Sequence, residues 1–290
     1  MLDLPLKGHV FVVAGPTASG KSAFALRAAQ RSNGELINAD SQQIYKGLPL
    51  LTAQPTQIEG ISHHLYAFLP PSHPGFSVAQ WIERVTPLLH DMLQRNKTPW
   101  VVGGTGFYLK ALMEGLSPMP SLAPEEVTSW RMLHHEQETA ALKKELLEKD
   151  PELGKSLQDR QRLLRALSIY DLTGKPLSWW QKQPKTACPF TFVPILVWPN
   201  RTRLSQKAEK RYDAMLEGGV KEEVLSFAQT QDLKSSPLRF ALGFQDILAM
   251  AQGQLSEKEC RKRYLQATQA YMKRQRTWFA HQFSPRFIVS

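Results

Sequence analysis

The chain has 290 residues, 42% of them hydrophobic and 21% charged, and a formal net charge of +10. That length allows one large domain or two, and the composition is that of an ordinary globular protein rather than a disordered or fibrous one. Two cysteines, Cys188 and Cys260, exclude a disulfide framework. No stretch approaches the roughly 18 apolar residues of a membrane span, and no signal-peptide layout precedes the first apolar run.

Val10 to Ala14 is an apolar run that reads as a buried strand. Gly15, Pro16, Thr17, Ala18, Ser19, Gly20, Lys21 and Ser22 then match G-x-x-x-x-G-K-[ST], and a helical pattern follows from Ala23 to Arg31. Strand, glycine loop and helix form the context that this phosphate-binding motif requires. The loop N–H groups and the helix N-terminus face an anion. Lys21 adds a point charge, and the Ser22 hydroxyl suits a magnesium ion. The motif specifies a polyphosphate without saying which.

Gly34 to Asp40 reads as a second short strand. Ligands of open α/β sheets bind at the carboxyl ends of strands, so Asp40 is expected to face the phosphate site. There it could accept a proton or bind a metal ion through water; capping the following turn is the plainer alternative. A loop runs on through His63-His64, a pair with no metal-spacing partner. Ser77 is the expected N-cap of a helix to about Arg95, striped by Trp81, Val85, Leu88, Leu89 and Met92, which Pro87 should kink. Trp100 to Gly104 is a third strand and Thr105 to Leu116 a helix. The Gly103-Gly104-Thr105-Gly106 turn between them permits close backbone approach, although such a turn alone is weak evidence. Strand–helix alternation implies a parallel sheet.

Ser117 to Pro124 breaks the pattern as a hinge or linker. Helices are expected at about Glu125 to Lys149 and at Gln158 to Thr173, the second ending on Gly174. Phe190 to Trp198 returns to a strand, and Arg201 to Glu217 and Val220 to Thr230 are helices. The last helix starts on a capping box, Ser256 with Glu259, and runs to about Phe283. Arg286 to Ser290 is a candidate closing strand. Arg162 and Arg165 share a helix face, and Arg203, Lys207 and Arg211 recur at i, i+4, i+8. Such stripes suit phosphates and are equally ordinary as solvated faces. The final helix interleaves basic residues with Tyr264, Tyr271 and Trp278; aromatics at that spacing are more often core. Residues 1–116 hold 9 Lys and Arg against 7 Asp and Glu, residues 117–290 hold 27 against 19, and the last 35 hold 8 against 2. That asymmetry fits a polyanionic partner at the second half, while the same charge also serves solubility.

In order along the chain, GPTASGKS, DSQQIYKG, HHL, GGTGFYLKALMEGL, QRLLRALSIYDLTGKPLS, RYDAMLEGGVKEEV, LGFQ and QAYMKRQRTWF resemble one family, the tRNA dimethylallyltransferases or tRNA isopentenyltransferases. The resemblance spans nearly the whole chain. It implies an α/β fold with a P-loop kinase-like parallel sheet flanked by helices. The catalytic core would be residues 1–115 and 186–290, and residues 116–185 a mainly helical insertion domain on the tRNA anticodon stem. The implied reaction moves a dimethylallyl group from dimethylallyl diphosphate to N6 of adenosine 37, beside the anticodon of tRNAs reading codons that begin with U. Diphosphate leaves and Mg2+ is the implied cofactor. A cytoplasmic monomer with no membrane attachment is implied as well.

Residue roles follow from the matching motifs. Gly15 to Ser22 would hold the diphosphate in place of ATP, with magnesium at Ser22. Asp40 resembles the general base, Thr105 would sit beside the reacting centre, and Lys21 with Arg211 would stabilise the leaving group. The adenine would be flipped out of the anticodon loop. Stretches matching tRNA contacts are Asp40, Ser41, Gln42 and Gln43, then Thr105, then Gln161, Arg162, Leu163, Leu164 and Arg165, then Phe240, Gly243, Phe244 and Gln245. The chain departs from the family at Gln54, at Gln245, and at Val127 or Thr128, where members carry basic residues. A small-molecule kinase is the alternative, but neither an adenine site nor an arginine-rich lid is identifiable. A nucleic-acid-binding module that has lost catalysis is a third reading, against which the intact Asp40, Lys21, Ser22 and Arg211 stand.

Overall fold

Almost every residue of the first strands is buried, the pattern of a parallel sheet covered on both faces. The computed structural model describes residues 8–55, 60–73, 75–119, 122, 124–186 and 188–290. Positions 120, 121 and 123 of the expected linker lie outside the described residues, as do 56–59 in the loop before His63. The chain divides into two compact units, Met1–Met113 with Pro189–Ser290, and Glu114–Cys188.

The first unit opens with β1 (His9–Ala14), α1 (Lys21–Arg31), β2 (Gly34–Asn38), the short α2 (Pro49–Thr52) and β3 (His63–His64). It continues through α3 (Val78–Gln94), β4 (Thr98–Gly103) and α4 (Gly106–Glu114). The six strands lie in the order β3-β2-β4-β1-β5-β6, and all their pairings are parallel. Here β5 is Thr191–Val197 and β6 is Phe287–Val289. Phe11 pairs in register with Trp100, and their rings stack at 4.3 Å. The expected strands at 10–14, 34–40, 100–104 and 190–198 and the closing strand therefore all form. β3 does not follow the loop expectation: two residues are too short to show a period. It is held by His64 Nε2 on the Glu35 carboxylate at 2.8 Å, a carboxylate that Arg95 also grips at 2.8 Å. Those partners draw the Glu35 carboxyl below its usual value, Arg95 first, against the opposing effect of burial.

Ser77 caps α3 with a reciprocal box to Gln80, and α3 runs unbroken past Pro87. Its stripe buries Trp81, Val85, Leu89 and Met92, and Trp81 Nε1 donates to the Asn38 carbonyl at 2.9 Å. Helix α3 is thereby tied to the carboxyl end of β2.

The second unit contains α5 (Pro124–Leu133), α6 (Thr139–Lys149), α7 (Pro151–Ser156), α8 (Arg160–Thr173) and α9 (Leu177–Gln181) around Trp130, Leu142, Leu146, Leu163 and Leu167. The single helix expected over Glu125 to Lys149 is thus two. The polar run His134 to Glu138 carries no apolar stripe, and the Arg160 guanidinium takes up the His135 carbonyl at 2.7 Å and the Gln137 carbonyl where α5 has ended. Gly174 ends α8 at φ 68°, as expected.

The first unit resumes after β5 with α10 (Arg201–Glu217), α11 (Val220–Thr230), a 3₁₀ turn (Pro237–Phe240), α12 (Phe244–Ala251) and α13 (Glu257–Gln282). Ser256 accepts from the Glu259 N–H at 3.3 Å, but only half of the expected box forms, because the Glu259 carboxylate pairs with Arg263 instead. No described helix is long and apolar enough to cross a membrane.

Candidate active site

The site grows from three strand ends at one edge of the sheet. The β1 end leads into the glycine loop. Gly20 adopts φ 92° at the start of α1, a left-handed geometry that a side chain resists. Ala18 adopts φ 61° as well, a strain at this loop that its packing sustains. The β4 end passes β2 so closely that a Cβ on Gly103 would fall 2.0 Å from the Ala39 carbonyl oxygen. The close approach expected of that glycine turn is therefore present. The β2 end carries Asp40.

A pocket of about 520 Å³ opens where these ends meet. Gly20, Lys21 and Ser22 form one side, and Asp40 to Gln43 another. Leu51 to Ala53, Lys207 and Arg211 of α10, Phe240 to Leu242, and Tyr271 and Arg274 of α13 complete it. Thr17 and Ala18 also line it, whereas Gly15, Pro16 and Ser19 lie buried beneath.

The electrostatics are cationic around one carboxylate. Burial pushes the Lys21 ammonium down to about 8; the Asp40 carboxylate opposes that shift, and the Arg211 guanidinium adds to it. Lys207 Nζ donates to the Ser19 carbonyl at 3.1 Å. Arg211 Nη2 donates to the Leu51 carbonyl at 3.2 Å, while its Nε is buried with no partner. The α2 turn that presents Leu51 is itself capped by Glu223, whose carboxylate accepts from the Leu50 and Leu51 N–H groups at 2.8 and 3.0 Å. A second buried atom without a partner is Gln42 Oε1. Both atoms belong to residues that line the pocket, and a buried polar atom without a partner is uncommon.

Asp40 combines both roles weighed for it. Its Oδ1 caps the turn by accepting from the Gln42 N–H at 3.0 Å, and Asn38 Oδ1 accepts from the Asp40 N–H at 2.9 Å. No hydrogen bond to Oδ2 forms among the described residues, so that oxygen is available in the pocket. Burial, followed by the Asp40 carboxylate, pushes the Tyr271 phenol up to about 12. Thr105 does not line the pocket. Its Oγ1 accepts from the Ser41 N–H at 3.0 Å and its own N–H donates to the Ala39 carbonyl at 3.2 Å, so it brackets Asp40 from behind.

Other expected residues separate by burial. Gln161 and Arg162 are exposed on α8 and Arg165 is half-buried, but Leu163 and Leu164 are packed in the core of the second unit and have no side-chain surface for a partner. Phe240 is 74% exposed at the pocket rim with the Arg239 guanidinium 4.5 Å from its ring centroid. Phe244, expected beside it as a contact, is fully buried against Phe227. Gly243 starts α12 at φ 84°, and exposed Gln245 donates to the Arg239 carbonyl at 3.3 Å. Gln54 donates to the Tyr45 carbonyl at 2.8 Å. Val127 lies in α5.

The pocket also recruits residues for which sequence reasoning had no specific role. Lys207 was visible only as one member of a basic stripe, of which Arg203 is exposed and lines no part of the pocket. Tyr271 and Arg274 come from the aromatic and basic final helix. Outside the pocket, His134, Glu145 and Asp171 have the spacing of a metal cluster, but Lys149 Nζ already sits 2.6 Å from both carboxylates.

Residues 43–282 match the family model described as IPP transferase. The tRNA dimethylallyltransferase of Chelativorans sp. (strain BNC1) is 40% identical over 290 residues, covering 97% of both chains. That of Rhizobium meliloti (strain 1021) is 39% identical, covering 97% of this chain and 95% of its own. Among solved structures, a eukaryotic dimethylallyltransferase acting on tRNA superposes with a TM-score of 0.79 at 28% identity, covering 94% of this chain and 70% of its own. The tRNA delta(2)-isopentenylpyrophosphate transferase of Staphylococcus epidermidis gives 0.66 at 28% identity, covering 97% and 92%.

Proposed function

The chain belongs to the IPP transferase family, and from that premise we propose the reaction: it transfers the dimethylallyl group of dimethylallyl diphosphate to N6 of adenosine 37 in tRNAs reading codons that begin with U. Prenyl transfer to tRNA is the family's chemistry. The observation that carries the finer reading is the pocket itself, with the glycine loop, Lys207 and Arg211 around the same space as a carboxylate, Asp40.

The diphosphate lies in the glycine loop against Lys21, Lys207 and Arg211. The C1–O bond to the diphosphate breaks as C1 bonds to N6, and the N6 proton passes to Asp40. The N6 lone pair is delocalised into the ring, so removing that proton as the bond forms is worth typically 10²–10⁴-fold. The cationic wall stabilises charge gathering on the leaving diphosphate. Ser22 is an exposed residue of the pocket lining, and its hydroxyl is a hard oxygen donor of the kind that fits Mg2+ beside a diphosphate. Magnesium held at Ser22 would neutralise part of the diphosphate charge. Exposed Gln161 and Arg162 of the second unit suit the anticodon stem, and Phe240 the loop. A tRNA substrate supports a cytoplasmic setting for the reaction. The proposed acting form is a monomer.

The test is transfer of labelled dimethylallyl diphosphate to unmodified tRNA. Label on adenosine 37 with release of diphosphate is expected. No label, or phosphate transfer from ATP to a small molecule, would overturn the reading in favour of a kinase.

A further inference from the structure

The Gln275 side chain, 7% exposed on α13, is held at both ends. Its Oε1 accepts from the Thr17 N–H of the glycine loop at 2.8 Å. Its Nε2 donates to the Gly104 carbonyl at 3.0 Å. An amide is suited to this place because it donates and accepts at once. Turning it over would set two donors face to face at Thr17 and two acceptors at Gly104, so the network fixes its orientation. From Gly104 the chain enters Thr105, which bonds to the backbone of Ala39 and Ser41 on either side of Asp40. One hydrogen-bonded path thus joins the loop assigned to the diphosphate and the carboxylate assigned as base. Gln275 itself does not line the pocket, although Tyr271, one turn before it, and the adjacent Arg274 do.

We propose that Gln275 is a positioning residue that locks the glycine loop to the Gly104–Thr105 turn, and so fixes the separation of the leaving diphosphate from the general base. This rests on the prenyl-transfer reading above. The bonds through Gln275 act on the relative placement of two half-sites, each of which keeps its own ligands without it. Its loss therefore falls on the rate of the chemical step rather than on the binding of either substrate.

Two variants test this. Gln275→Met keeps the bulk and removes both bonds. Pyrophosphate and tRNA are expected to bind as they do to wild type, while single-turnover transfer at saturating substrates falls about 10²-fold, the scale of an ångström of misplacement. An unchanged rate, or a loss confined to the two dissociation constants, overturns the proposal. Gln275→Glu covers the case in which the Met variant does not fold. A neutral carboxylic acid donates and accepts like the amide, whereas the ionised form only accepts, and burial raises its pKa. Its rate relative to wild type is expected to rise as pH is lowered from about 8 to about 6; a flat ratio overturns the proposal. Hydrogen exchange reads the lock without turnover, with faster exchange at both Thr17 and Thr105 expected in Gln275→Met and unchanged protection counting against it. If wild type transferred nothing, the prenyl-transfer reading would fail and the exchange measurement would still decide the lock.

Discussion

Lys207 Nζ donates to the Ser19 carbonyl at 3.1 Å and stands 3.0 Å from the point where a Cβ on Gly20 would lie. A cation from α10 therefore closes over the glycine loop from the far end of the sequence. Lys207→Met is expected to weaken pyrophosphate binding about 10–100-fold, the value of a hydrogen bond to a charged group at about 1.5–3 kcal/mol. Arg203→Met, on the same stripe but outside the pocket, should leave it unchanged. Titration calorimetry at one ionic strength checks both.

The depressed Lys21 pKa makes anion binding pH-dependent. With the free-state value near 8, the ammonium is charged below that pH and is progressively lost above it. A bound diphosphate raises the pKa, so binding takes up a proton, and affinity should fall as pH rises through about 8, by up to about tenfold per unit. Lys21→Arg keeps its charge, so the wild-type affinity relative to this variant should decline above pH 8; the titration of pyrophosphate itself cancels in that ratio. A ratio flat between pH 7 and 9.5 would show that Lys21 does not titrate in that range on binding.

Asp40 caps its own turn, which dictates the variant to use. Asp40→Asn preserves an oxygen for the Gln42 N–H and removes the base. Transfer should drop about 10²–10⁴-fold with tRNA binding retained. Asp40→Ala loses the cap as well, so its deficit should include weaker tRNA binding. Equal losses of binding and rate in Asp40→Asn would make the residue a positioning group.

Phe240 and Phe244 are four positions apart and should behave oppositely. Phe240→Ala removes an exposed ring at the pocket rim; tRNA affinity should fall by about 1–3 kcal/mol, the scale of base–aromatic stacking, with melting temperature and pyrophosphate affinity unmoved. Phe244→Ala empties a core position and should cost about 3–5 kcal/mol of stability. Denaturant melts and tRNA filter binding separate the two. A Phe240→Ala protein that binds tRNA normally would take the ring out of the interface.

Local spacing made much of this protein legible. The strand before Gly15, the loop geometry at Gly20, the acid at the end of the next strand and the glycines from Gly103 are short-range features, because turn and strand constraints act between near neighbours. A two-residue strand at His63 and a break near His134 escaped, because neither is long enough to show a period. The burial of the Phe244, Leu163 and Leu164 side chains was half visible, in the apolar spacing of α8 but not at the start of α12.

The sequence by itself determined a parallel α/β sheet, the glycine loop and Asp40, along with motifs that identify the family. Only the tertiary structure decided which cations and which aromatic rings reach the pocket, and that Gln275 joins the glycine loop to the turn behind Asp40. The physical reason is range. The sheet order β3-β2-β4-β1-β5-β6 brings the ends of β1, β2 and β4 together, and the Thr17–Gln275 bond spans 258 positions. Helical periodicity says which face of α10 or α13 is basic or apolar, but not which strand ends that face will meet.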